Sequence, residues 1–176
     1  MKTIKKTLCL VLFSLGMVLT TQAQGKGVTL NFNNYDNNIQ LLEQYVAAMK
    51  AGDAAKMNAL FSDNAAIVGL GSTMDTITKK DHLARYTDSF EANSINITQD
   101  VYLSVKTDEN AAVAPGEYGF SWGNVSITNK KSNKTATSRY HVVARIENGE
   151  ITFLGHYYDS IPFLLQEGYT IVPPKE

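Results

Sequence analysis

The sequence predicts an α+β domain, on three observations. Between residues 36 and 92 apolar side chains recur at a helical period. From about residue 95 to 159 the period falls to two. The change happens once, with no internal repeat and no linker. Helices followed by a run of antiparallel strands imply one domain whose helices lie on one face of a curved sheet. Helices cannot completely fill the concavity of such a sheet, so a pocket between the two layers is the expected ligand site.

The elements follow in order. Residues 1–6 carry Lys2, Lys5 and Lys6, an apolar run covers 8–19, and Thr21-Gln22-Ala23 offers a small-x-small cleavage site. This is the pattern of a secretory signal peptide over 1–23. The apolar run is shorter than the about 20 residues that span a bilayer. The expectation is an exported protein, in the bacterial periplasm or outside the cell, with no membrane attachment once the signal is gone. The only cysteine, Cys9, leaves with it, so neither a disulfide framework nor a cysteine-built zinc site is available. The whole chain carries 16 Lys and Arg against 17 Asp and Glu; the signal holds three of the lysines and none of the acids, so the mature charge is −4. That charge gives no basic field for nucleic acid.

Residues 24–35 read as a polar leader with one extended piece at Val28, Leu30 and Phe32. The domain proper is placed at 36–169 and a tail at 170–176, where Pro173-Pro174 stops any regular element. Asp36 is the expected N-cap of a helix over 36–51, with Ile39, Leu42, Val46 and Met49 on one face and Gly52 as its stop. Asp53 caps a short helix over 54–61, a turn follows at 62–64, and 65–68 is a strand. Residues 69–76 form a glycine-containing loop; Gly69-Leu70-Gly71 lacks the strand–helix context of a nucleotide site. Thr78-Lys79-Lys80-Asp81 is a capping box that opens a helix over 79–92, with Leu83, Tyr86 and Phe90 facing the core and His82 in solvent. Strands are predicted at 95–106, 111–123, 136–147 and 150–159, with a turn at 108–110, a polar loop over 124–135, and Asn148-Gly149 as a tight hairpin. A last helical turn falls within 161–169.

Two stretches of this chain carry a family resemblance. Gln44-Tyr45-Val46-Ala47-Ala48-Met49-Lys50-Ala51-Gly52-Asp53 with Ala59-Leu60-Phe61-Ser62-Asp63-Asn64-Ala65 resembles the opening of the nuclear transport factor 2-like superfamily. Arg145-Ile146-Glu147-Asn148-Gly149-Glu150-Ile151 is similar to its last hairpin, and Ile97-Thr98-Gln99-Asp100-Val101 also matches. The resemblance covers about 36–160 and is nearest to bacterial ketosteroid isomerase and the SnoaL-like polyketide cyclases. It implies a cone-shaped, curved antiparallel sheet wrapped around three N-terminal helices, the cystatin-like α+β roll. The fold hosts enzymes and binding proteins alike, so function has to be argued from the site. Ketosteroid isomerase works with an Asp base and an oxyanion hole of a Tyr and a protonated Asp. On the resemblance, the tyrosine corresponds to Tyr45, the base to Gly69 and the protonated acid to Val142. Lacking base and acid, the chain is not expected to isomerise ketosteroids.

The resemblance also places His156 at or near the acid/base position of the SnoaL-like cyclases. His156 and Tyr45 are therefore the candidate catalytic pair. Each has a structural alternative: Tyr45 as core with its hydroxyl on a carbonyl, His156 as a core or outer-face histidine. The register of the last hairpin decides the latter. A plain two-residue turn at Asn148-Gly149 puts His141 and His156 on one side with Arg139 and Arg145; a bulge flips the parity and puts Val142, Leu154, His156 and Tyr158 on the pocket side. Two histidines lack a third ligand, so no metal is expected, and no cofactor is implied.

Tyr118, Phe120 and Trp122 alternate on one strand and share a face. Together with Tyr86, Tyr140, Val142, Leu154 and Tyr158 they are the candidate ligand-binding residues for a small apolar or aromatic molecule. The alternatives for the aromatic residues are plain core or an outer-face patch through which the sheet forms a homodimer. Three readings of function result: a binding module for a small, largely apolar molecule; an acid/base isomerase, cyclase or hydratase using His156 and Tyr45; and a dimeric protein–protein module with a vestigial pocket.

Overall fold

The computed structural model describes residues 26–69 and 75–172. The cleavage site at Ala23, Cys9, Gly71 and the Pro173-Pro174 stop lie outside the described residues. In chain order the elements are β1 (Val28–Thr29), α1 (Tyr35–Ala51), α2 (Ala54–Ala59), β2 (Phe61–Val68), β3 (Thr76–Ile77), α3 (Lys79–Ala92), β4 (Asn93–Thr107), β5 (Gly116–Asn129), β6 (Thr135–Glu147), β7 (Glu150–Tyr158) and α4 (Ile161–Gln166).

The domain is α+β, but the sheet departs from the expected cone. It is an open, mixed seven-stranded sheet in the order β1-β4-β5-β6-β7-β2-β3. Its two outer strands, β1 and β3, do not meet, so it neither closes nor wraps strongly around the helices. Nor is it wholly antiparallel: β2 runs parallel to β7, with Ile67 opposite Leu154 and Val68 opposite Gly155. The reason lies in the connections. β4 to β7 are joined by direct turns and form an antiparallel meander, whereas β2 enters from α2 and leaves toward α3, so no hairpin fixes its direction against β7.

Local chemistry explains the helices. α1 ends at Gly52, whose φ of 69° lets its N–H reach back to Ala48 and Met49. Its N-cap is Asn34 with no side-chain bond, and Asp36 lies in the first turn instead of capping. Asp53 does cap α2, accepting from the Lys56 N–H at 2.9 Å. The Thr78–Asp81 capping box is complete in both directions. The predicted turn at 62–64 is part of β2, whose register slips between Phe61 and Ala66. The loop expected over 124–135 is mostly strand: Val125 and Ile127 continue the inward alternation of β5 while Ser126 and Thr128 hydrogen-bond across to Thr137 and Thr135 on β6.

One core joins α1, α2 and α3 to a single face of the sheet. Leu42, Tyr45, Met57, Phe61, Ile67, Val142, Ile151 and Leu154 are at its centre, all fully buried. The last hairpin combines the two registers considered from the sequence. Asn148-Gly149 is a two-residue turn, with Glu147 opposite Glu150 and Ile146 opposite Ile151. Arg145 then pairs with Phe153, so Thr152 is an extra residue on β7. From there the parity is shifted, Val142 faces His156, and His141 faces Tyr157 on the other side of the sheet.

Candidate functional site

Between α3 and the inner face of β4–β7 lies a cavity of about 350 Å³. Met49, Ile95, Ile97, Val125 and Ile127 make it apolar; Tyr86, Tyr140, Tyr158 and His156 bring polar atoms to it, and Arg85, Asp88 and Ser89 come from the same helix as Tyr86. Val125 and Ile127 were missed as wall residues because their segment reads as a loop: every second residue there is polar, and the polar set faces outward.

The polar part of the site is a chain of four side chains. Tyr45 Oη on α1 lies 3.1 Å from His82 Nε2 on α3 and 3.1 Å from His156 Nε2 on β7. His156 Nδ1 is 3.5 Å from Tyr86 Oη, a long contact. The rings also pack together: Tyr45 stands edge-on to Phe61 and His156, and His82 lies 4.7 Å from Tyr86 and 4.8 Å from Phe61 between ring centroids. All four of these polar residues are buried.

Burial dictates their protonation. Removed from water and close to His82, His156 has its pKa pushed down to about 3; burial alone lowers that of His82 to about 4. Both rings are therefore neutral near pH 7. Burial, reinforced by the neighbouring Tyr86, drives the Tyr45 phenol well above its usual range, and burial also raises Tyr86. The inner end of the cavity is polar but uncharged. Neutral imidazole can accept or relay a proton, and phenol can donate a hydrogen bond.

The structure sorts the candidate residues into three groups. His156, Tyr86, Tyr140 and Tyr158 line the cavity. Tyr45, Val142 and Leu154 are fully buried behind that wall, and Tyr45 touches it through its contact with His156. Tyr118, Phe120 and Trp122 are not brought to the cavity. Their parity on β5 is opposite to that of Gly119, Ser121 and Val125, and they face the outer side of the sheet. There Phe120, Trp122, His141 and Tyr157 form a run of nearly parallel rings, with Trp122 and His141 at 5.0 Å and His141 and Tyr157 at 5.9 Å. Tyr118 is held by its hydroxyl donating to the Ala114 carbonyl.

His82 corrects the sequence reading most sharply. It was expected in solvent and is fully buried. The signal was present: His82, Tyr86 and Phe90 recur at four-residue spacing, and these are the buried positions of α3. Gly69 is constrained by packing. Its φ is +87°, and a Cβ there would lie 1.9 Å from the His156 carbonyl oxygen. Among the described residues no group of three or more His, Cys, Asp or Glu gathers to hold a metal ion, and no helix is long and apolar enough to cross a membrane.

A family profile described as a SnoaL-like domain matches residues 42–154. No curated protein matches the chain. Solved structures do. A proposed polyketide cyclase from Xanthomonas campestris pv. campestris superposes with a TM-score of 0.62 at 14% identity, over 76% of this chain and 98% of that one. An NTF2-like protein from Burkholderia xenovorans LB400 gives 0.56 at 17%, over 78% and 98%. A LEH-like epoxide hydrolase from M. tuberculosis gives 0.55 at 12%, over 76% and 91%. At these identities the likeness concerns the fold.

Proposed function

The chain belongs to the SnoaL-like domain family, and from that premise we propose that it is an exported protein that binds a small, largely apolar molecule in the cavity between α3 and the sheet. The observation that carries this reading is the cavity itself: about 350 Å³, aliphatic on most of its walls, with neutral His156 and Tyr86 as polar contacts. A well-packed core has few voids larger than a water molecule. An apolar space of this size with a few convergent polar groups suits a flat hydrophobic ligand with one or two polar functions.

Ketosteroid isomerisation is not part of the proposal. Gly69 has no side chain to act as a base and no room for one, and Val142 is a fully buried aliphatic group that cannot donate a hydrogen bond. Native mass spectrometry of protein purified from its own host tests the binding reading. A retained small molecule is expected, and Ile127→Trp, which fills the cavity, should lose it. If wild type and the filled variant both carry no ligand and bind no hydrophobic probe, the reading fails.

A second reading has its own support. The His82–Tyr45–His156 arrangement is a buried, neutral acid/base group beside the cavity. It supports an isomerase, cyclase or hydratase in which His156 moves a proton. Loss of turnover in His156→Phe with ligand binding retained would separate this reading from the first.

A further inference from the structure

We propose that His82, which is not a cavity-lining residue, sets the direction of the hydrogen bonds around His156 and so makes the inner end of the cavity a hydrogen-bond donor, favouring a neutral ligand with an acceptor oxygen, such as a ketone or ester, over a carboxylate. The inference rests on the cavity being a ligand site and goes on to name the polar chemistry it takes.

Three protons are shared among the facing atoms of His82, Tyr45, His156 and Tyr86 in one of two arrangements. The Tyr45 hydroxyl has a single proton and two imidazole Nε2 partners, each at 3.1 Å. With both rings neutral, one Nε2 must present a lone pair and the other an N–H. In the first arrangement Tyr45 donates to His156 Nε2 and accepts from His82 Nε2–H. His156 then carries its proton on Nδ1 and donates to Tyr86 Oη. In the second arrangement every bond is reversed: Tyr45 donates to His82, His156 Nε2–H donates to Tyr45, and Tyr86 donates to His156 Nδ1.

The far nitrogen of His82 decides between them. His82 Nδ1 is buried and has no hydrogen-bond partner. In the first arrangement it is a bare lone pair; in the second it is an N–H with nowhere to donate. A buried N–H without an acceptor is rarer in proteins than an acceptor with an unmet lone pair. The first arrangement is therefore favoured, and it leaves the Tyr86 proton outside the chain of bonds. Tyr86 forms part of the cavity wall. The nearby Tyr45 oxygen interacts with the Tyr86 hydroxyl, but it already accepts from His82, so a ligand oxygen is the less encumbered acceptor.

The rest of the wall agrees with a neutral ligand. Arg85 and Asp88 carry opposite charges on the same helix and leave no net charge to hold an anion. An ionised carboxylate would lose its water against walls that carry no net charge. Tyr140 Oη, buried without a partner, can donate or accept and does not select between ligand classes.

The test uses the full mature protein, labelled with ¹⁵N, and four probes on one carbon skeleton: tetralin, 1-tetralone, 1-tetralol and 1,2,3,4-tetrahydro-1-naphthoate. Long-range ¹H–¹⁵N spectra at pH 7.5 should place the His156 proton on Nδ1 and the His82 proton on Nε2. The ketone should bind at least as tightly as the alcohol, and the carboxylate most weakly. His82→Phe keeps an aromatic ring against Phe61 and removes the asymmetry, so the ketone-to-alcohol affinity ratio should fall and the His156 tautomers should mix. Should that variant fail to fold, the wild-type spectrum still decides. Finding the His156 proton on Nε2, or tighter binding of the alcohol than of the ketone, overturns the inference and leaves the cavity reading intact. Binding of none of the four sinks the cavity reading, and the proposed ligand class with it.

Discussion

Acid should unfold this protein through two histidines, and the size of the effect can be worked out. His82 and His156 stay neutral in the fold down to about pH 4 and about pH 3. In the unfolded chain both titrate near the ordinary value of about 6.5. The sign follows: between those limits the unfolded state binds protons that the folded state does not, so stability is full above about pH 6.5 and falls as the pH drops. From pH 7 to pH 5 each histidine removes roughly 2 kcal/mol, and the pair about 4 kcal/mol. That is a large share of the about 5–15 kcal/mol typical of a domain. The assay is urea denaturation at pH 7, 6 and 5, comparing wild type with His82→Phe. The variant keeps one of the two buried histidines, so its loss between pH 7 and 5 should be about half that of wild type. A wild-type loss below about 1 kcal/mol, or an unchanged slope in the variant, would refute the claim that both rings are buried and neutral.

Other outcomes follow from the same structure. Gly69→Ala places a methyl group onto the His156 carbonyl oxygen at a positive φ; strain and displacement of β7 together should cost about 2–5 kcal/mol, read as a drop in melting temperature, and a variant as stable as wild type would mean that the close approach is wrong. Asp53→Ala removes the acceptor for the Lys56 N–H at the start of α2, so the denaturation midpoint should fall measurably. No turnover of a β,γ-unsaturated ketosteroid above the solution rate is expected, even in Gly69→Asp/Val142→Asp, since an aspartate at 69 has no space. N-terminal sequencing of the exported protein should begin at Gln24; finding Met1 there would contradict signal cleavage.

The helices were legible where a terminus carries its own signal; the start of α1, at Asn34 and not at Asp36, carries none. Gly52, Asp53 and the Thr78–Asp81 box act within one turn of chain, and sequence displays such short-range chemistry directly. What failed was long-range. The parallel pairing of β2 with β7 brings together residues almost ninety positions apart, and no local pattern encodes it. The same holds for the site. Tyr45 and His156 are candidates from the sequence, but that a third residue, His82, shares the Tyr45 hydroxyl depends on how α3 lies across α1. Trp122 and its neighbours were correctly placed on one face by alternation, yet alternation alone does not say which face is inside. Here the burial of Ser121 and Gly119 on the opposite parity settles it, and small residues on a strand are weak evidence of burial when read alone.

The extra residue at Thr152 carries a lesson about how such a site can appear or vanish. Upstream of it the hairpin obeys the parity set by Asn148-Gly149; downstream that parity is inverted on β7, and the inversion turns His156 inward while His141, on the regular strand β6, stays on the outer face. One residue of chain length thus separates two histidines that a plain hairpin would set side by side. Within this fold, gain or loss of a single residue in the last hairpin would exchange a buried imidazole for an exposed one while every side chain stayed the same. Comparing such chains by which amino acid occupies an aligned column would miss this entirely; the quantity to compare is whether the number of residues between the turn and the histidine is odd or even.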